Sequence, residues 1–298
     1  MGQVKATFIF CEGDHDVAFC HLILKHLLNA SWADVSDVQA PTPLGDRIRQ
    51  LRKEKIAGAS SKIFTYSNYY TLGDNAIFVY KTDGKDNPES TKKLISDMTF
   101  IEKPSLSGLQ STPAEDGDGR DRITSSRYLF VYDRDEKSLE RLIGWWRSVY
   151  DDGSDCGMKI PNLATKTFDQ GCFFENKALY GWSVGDSSNT LEDILLVVLK
   201  DCAKFPIDKS SDFAKTLDAW SWEPCSNKPK DVSAAKAKLG KAVITISGQN
   251  ARPGRAMSTI IRDCLKRNKN EDEEKVALFK QNKDALAFAE FLRAFMNG

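Results

Sequence analysis

The feature that most constrains this chain is a pair of apolar runs that each stop abruptly on acidic residues. The first covers residues 6–11 and ends on Glu12 and Gly13. A helical pattern starts at Asp14, with Val17, Cys20, His21, Leu24 and Leu28 recurring at helix spacing. A short, continuously apolar run bounded by a turn signal reads as a strand buried on both faces, and so as a parallel strand of an α/β sheet. Ligands in such sheets bind beyond the carboxyl ends of strands. Glu12 therefore stands where these folds do their chemistry, and Asp14 is placed to cap the next helix.

The second run, residues 128–135, is apolar and aromatic and ends on Asp133 and Asp135. In an extended chain residues i and i+2 point the same way, so both aspartates can face one point. With Glu12 on a neighbouring strand, three carboxylates converge. Like charges that close either raise a pKa or recruit a cation. Hard oxygen ligands in small number suit Mg2+ or Mn2+, with positions left for water and phosphate.

These residues resemble the Toprim domain, shared by topoisomerases, bacterial primases and nucleases that include the OLD (overcoming lysogenization defect) group. One strand ends in Glu12-Gly13 with an acid, Asp16, just beyond it, and a later strand ends in the Asp-x-Asp of Asp133 and Asp135. Residues 77–85, ending in Gly84 and Lys85, resemble the second strand and Gly-Lys loop of small stand-alone members. Residues 190–196, with Leu191, Glu192 and Asp193, resemble the Leu-Glu-Asp helix those members carry after the core. The likeness spans roughly the first two thirds of the chain, with its four motifs in family order.

The resemblance implies a Rossmann-like α/β core, a mainly parallel sheet flanked by helices, and a helical C-terminal region. Residues 1–200 would form the core, with an insertion at about 37–75 and a flexible loop at about 103–126, and residues 201–298 the helical part. It implies Glu12, Asp133 and Asp135 as metal ligands, Asp16 and Glu192 as further ligands or water-orienting groups, and Mg2+ or Mn2+ as cofactor. Glu192 and Asp193 also have a plain structural reading. They fall in the first turn of a helix capped by Thr190 or Asn189, where carboxylates favour the helix dipole.

The bulk properties set the remaining bounds. With 298 residues, 41% hydrophobic and 28% charged, the chain is a soluble globular protein of one large domain or two ordinary ones. No run approaches the length of a transmembrane helix, and residues 1–7 are too polar for a signal peptide. Seven scattered cysteines without a CxxC pair indicate neither a zinc site nor a disulfide framework, and point to a reducing cytoplasm. Lys plus Arg equals Asp plus Glu, 42 against 42, which argues against a strongly sticky nucleic-acid protein without excluding one, since a local basic patch can work beside an acidic site.

Such a patch is offered by residues 47–55, a short basic helix carrying Arg47, Arg49 and Arg52, followed by the aromatic segment 64–70. Cations for phosphate tracking beside aromatics for base stacking suit single-stranded nucleic acid. The alternative is a solvated helix and a half-buried strand. Lys85, in a glycine loop near a helix start, is a candidate phosphate contact, although no P-loop spacing exists anywhere in the chain and, apart from the resemblance, the loop reads as a plain turn.

Leu139, Leu142, Ile143 and Trp146 form the apolar face of a helix over residues 136–150, residues 164–168 and 178–184 read as extended, and five helical stretches follow residue 201. The last stretch, with Ala285, Phe288, Ala289, Leu292 and Phe295 on one face, is core packing or a partner contact. Arg252 and Arg255 flank a helix break and read as an exposed loop. Of the three histidines, His15 sits beside the acids and has two readings, a proton shuttle and, the one favoured, an exposed or packed histidine.

The expected activity is that of a metal-dependent endonuclease on DNA or RNA. The chain is too short for a topoisomerase with its companion domains, and no zinc module marks a primase. By family analogy the nuclease would be an antiphage-defence effector controlled by a separate ATPase, since no Walker motif is present; a homo-oligomer is compatible with this. The alternatives are a non-catalytic Toprim-like module that docks a partner through its C-terminal helices, and a small-nucleotide phosphohydrolase.

Overall fold

The apolar run ahead of Glu12 becomes a central strand of an eight-stranded mixed sheet. The computed structural model describes residues 3–33, 40–41, 44–45, 66–82, 88–98, 121–134, 138–151, 158–182, 190–221, 232–267 and 270–298. Strand β1 (Gln3–Cys11) is followed by helix α1 (Asp14–His26), strands β2 (Ser31–Ala33), β3 (Tyr66–Leu72) and β4 (Asn75–Lys81), and helix α2 (Pro88–Met98). Strand β5 (Arg122–Asp133), helix α3 (Leu139–Tyr150) and strands β6 (Lys166–Phe168), β7 (Gly171–Phe174) and β8 (Lys177–Trp182) complete the sheet.

Its order is β2-β3-β4-β1-β5-β8-β7-β6. The four inner strands β4, β1, β5 and β8 run parallel, and the outer strands pair antiparallel on both sides. This is the α/β architecture that the two apolar runs imply. A strand buried on both faces has no polar side to present, so β1 is buried from Ala6 to Cys11 and reads as one hydrophobic stretch.

Alternate residues of each strand serve different layers. Phe8, Phe10, Phe78, Tyr80, Tyr128 and Phe130 face α2 and α3. Register places Phe8 beside Phe78 and Tyr128, and their rings lie 5.4 and 5.6 Å apart. On the opposite face Ile9, Cys11, Ile77, Val79, Leu129, Val131, Tyr180 and Trp182 meet α1 and the C-terminal helices. Those helices are α4 (Leu191–Val197), which runs into a π-helical turn (Val198–Cys202), then α5 (Ile207–Ser221), α6 (Val232–Ala251) and α7 (Met257–Arg262). A small hairpin, β9 (Lys266–Arg267) and β10 (Asn270–Glu271), precedes α8 (Glu273–Phe279) and α9 (Lys283–Asn297).

Helix α9 starts at a cap, the Asn282 side chain accepting the Ala285 N–H at 2.9 Å. Its face of Ala285, Phe288, Ala289, Leu292 and Phe295 is buried in the same core cluster as β1. Of the two readings given to that face, core packing holds and the partner contact does not. The Phe291 ring approaches the sheet where β7 has Gly171; a Cβ there would stand 2.7 Å from Phe291 Cε2.

Two expectations are corrected. Residues 122–126, assigned to a flexible loop, belong to β5: Arg122 and Ile123 pair with Gln3 and Val4, while Thr124 and Ser125 stay exposed on the strand's outer reach. A polar strand extension looks like a loop in sequence because Ile123 is its one large apolar side chain, buried among polar neighbours along the chain. Of the two readings given to segment 64–70, the strand holds over its described residues as part of β3 and the stacking platform does not, since Tyr69 and Tyr70 are buried rather than open to a base. Tyr70 instead shares a 2.7 Å hydrogen bond with His21. Among the described residues no helix is long and apolar enough to cross a membrane.

Candidate functional site

Four acidic side chains from different parts of the chain gather beyond the carboxyl ends of β1 and β5. Glu12 follows β1 directly, and its Oε2 accepts the backbone N–H of Asp133, the last residue of β5, at 3.3 Å. Asp16 lies in the first turn of α1 and is buried; its Oδ2 accepts the Gly13 N–H at 2.9 Å and its Oδ1 the indole N–H of Trp182 at 2.8 Å. Asp133 Oδ1 accepts the N–H of Leu191 at 2.7 Å. Glu192, in the first turn of α4, is buried with Oε1 3.5 Å from His15 Nδ1 and 3.4 Å from Lys241 Nζ. Its other oxygen, Oε2, is buried with no hydrogen-bond partner among the described residues.

Helix capping accounts for part of this geometry. Gly13, not Asp14, is the N-cap of α1, and Asp16 reaches back to its N–H. Asp14 is the first residue of the helix itself and bonds Lys81 at 2.7 Å on the surface. At α4 the N-cap is Thr190, as read from sequence, yet its hydroxyl donates to Asp193 Oδ2 at 3.0 Å, and the free helix N–H of Leu191 goes to Asp133. Asp193 thus serves the helix start.

The electrostatics are those of an overcrowded anionic cluster. Burial, then the charge of Glu12, pushes Asp16 up to about 7, against the lowering effect of the Trp182 hydrogen bond. Burial, then Asp16, Glu192 and Glu12, holds the Asp133 carboxyl well above the usual range. Glu192 goes the other way. Burial raises it, but the His15 hydrogen bond and the Lys241 ammonium together bring it below its ordinary value. Lys241 is correspondingly raised, its burial outweighed by Glu192, Asp133 and Glu12.

Glu12, Asp16, Asp133, Glu192 and His15 are therefore brought together. Asp135, Lys85, Arg47, Arg49 and Arg52 lie outside the described residues. His21 and His26 are elsewhere, on the buried side of α1, where burial pushes them down to about 3 and about 4. Two members of the cluster were not anticipated, Trp182 and Lys241. Lys241 reaches Glu192 because α6 passes close to α4 at Gly240, where a Cβ would stand 3.2 Å from the Glu192 Cβ. A glycine followed by a lysine within a long helix was the only sequence trace of that approach.

Among the described residues no three His, Cys, Asp or Glu side chains form a ready-made metal cage. The donor set nevertheless fits a hard divalent cation in chemistry: carboxylate oxygens, mutual repulsion that a cation would relieve, and one buried carboxylate oxygen left without a donor. Glu12, Asp16, Asp133 and Glu192 are the residues that would hold it.

No protein-family model matches the chain, and no curated protein matches it. Among solved structures it is similar to the crystal structure of the hypothetical protein PH0156 from Pyrococcus horikoshii OT3. The match has a TM-score of 0.52 at 14% identity and covers 99% of this chain and 100% of that one. At that identity the likeness concerns the fold.

Proposed function

We propose that this protein is a divalent-metal-dependent phosphodiesterase of the Toprim type, an endonuclease acting on DNA or RNA. The observation that carries the reading is the gathering of Glu12, Asp16, Asp133 and Glu192 at the ends of β1 and β5, with the buried Glu192 Oε2 unpartnered among the described residues. Mg2+ or Mn2+ held there supplies a Lewis acid and an activated water for phosphodiester hydrolysis. His15, 3.5 Å from Glu192, is placed to accept or return a proton. Lys241, with its ammonium partly exposed above the same carboxylate, offers positive charge to a phosphate oxygen.

Control by a separate ATPase, a cytoplasmic antiphage role and contacts to nucleic acid through Lys85, Arg47, Arg49 and Arg52 are part of the proposal and rest on the Toprim resemblance. The test is a cleavage panel of plasmid, single-stranded DNA and bulk transfer RNA, with Mg2+, Mn2+ or EDTA, comparing wild type with Glu12→Gln. Metal-dependent cutting that vanishes in the variant is the expected result and names the substrate. Cutting that persists in EDTA or in the variant overturns the assignment of the site.

A further inference from the structure

We infer that Trp182 is a positioning residue for the carboxylate cluster, holding Asp16 in one orientation among the acids that would hold a divalent cation. Trp182 is the last residue of β8 and the register partner of Asp133, so its main chain lies alongside one acid while its side chain serves another. The indole is fully buried, and its N–H donates to Asp16 Oδ1 at 2.8 Å across 166 residues of sequence. The ring is wedged among Phe19 of α1, Tyr180 of β8 and Phe288 of α9, with centroids 5.5, 5.0 and 4.8 Å away. Those contacts fix the direction of the N–H.

A second tryptophan shows what this fold does with an indole that has only packing to do. Trp146 is equally buried, and its Nε1 has no hydrogen-bond partner among the described residues. The Trp182 donor, by contrast, is directed into the cluster. Its chemistry there is specific. The indole and the Gly13 N–H are both neutral donors, one on each oxygen of Asp16. They fix the carboxylate without cancelling its charge, whereas Glu192 faces the Lys241 ammonium. Groups that orient a ligand in this way typically account for about 10- to 100-fold of metal affinity.

This inference rests on the metal-site reading, and its test separates the two. Binding of Mn2+ alone to the full chain would be measured by the loss of the free-ion electron paramagnetic resonance signal, for wild type and Trp182→Phe. The phenyl ring keeps part of the apolar packing and removes the donor. The expected result is Mn2+ binding by wild type that weakens at least about 10-fold in the variant, with its melting temperature measured in parallel.

A second measurement needs no Trp182 variant. The Trp182 indole N–H resonance, identified as the one that Asp16→Asn displaces, should shift on adding Mg2+ and broaden on adding Mn2+. Equal Mn2+ affinity in Trp182→Phe, or an indole resonance indifferent to Mg2+ in a protein that binds Mn2+, overturns the positioning role alone. Absence of Mn2+ binding by folded wild type overturns the metal site and this inference with it.

Discussion

Asp133 Oδ1 accepts the backbone N–H of Leu191 at 2.7 Å, so the acid that ends β5 is also what satisfies the start of α4. One side chain thereby ties the strand end to the helix that carries Glu192. The two faces of its role, charge and acceptor, can be separated by substitution.

Asp133→Asn keeps an oxygen acceptor for Leu191 and removes a carboxylate that burial, then its acidic neighbours, holds well above its usual pKa. Its stability in urea should match or exceed wild type, while metal-dependent activity is lost. Asp133→Ala loses the acceptor as well and should cost about 1 kcal/mol. Equal losses of stability in both variants would contradict the capping role.

Lys241→Ala removes the ammonium 3.4 Å from Glu192. Because that ammonium also offsets the charge of the buried Glu192, the substitution should cost about 1–3 kcal/mol and leave the chain folded. The proposed nuclease should nevertheless slow by about 100-fold, the scale of a lost electrostatic donor, and Lys241→Arg should recover part of the rate. Wild-type turnover in the alanine variant would remove Lys241 from the site.

His21 tests the buried side of α1. Burial, then the charge of Lys25, pushes its pKa from 6.5 down to about 3. The unfolded chain takes up that proton below about pH 6.5 and the folded chain does not until about 3, so stability falls as pH drops through that window. Nitrogen-detected NMR of the folded protein at pH 5 should show His21 as a neutral imidazole hydrogen-bonded to Tyr70. A charged ring at that pH would mean the side chain is not buried as described.

Phe288→Ala should cost about 3–5 kcal/mol, because the ring packs on Tyr180 and Trp182 in the core. The effect belongs to the isolated chain, and chemical denaturation of the purified protein is sufficient to see it. Wild-type stability combined with loss of a binding partner would restore the docking reading of that face.

The acids at Glu12 and Asp133 were legible because a buried parallel strand writes itself as a continuous apolar run, and its last residue is marked by the first charge. The face of α9 was legible for a similar reason, since helical periodicity alone selects Phe288, Leu292 and Phe295. Trp182 and Lys241 were not legible. An aromatic residue in a strand is ordinary core by composition, and only the approach of α1 reveals that its N–H meets Asp16. Lys241 depends on how closely two helices pack at Gly240, a distance that no local pattern encodes. Asp14 misled for a local reason: acids are common both at the cap and just inside the first turn, and here the glycine before it takes the cap.

The wall behind Asp16 has a consequence for how the protein is made. Asp16 rests on Trp182, and Trp182 rests on Phe288, so the site is backed by contacts that join residues 16, 182 and 288. Contacts of such sequence separation form late, since long loops must close before they are rewarded. A chain still emerging from the ribosome, with α1 and β8 folded but α9 not yet synthesised, would hold the acids without the backing that orients them. The stack of Phe288 on Trp182 behind Asp16 is complete only once the polypeptide has been made through Phe288.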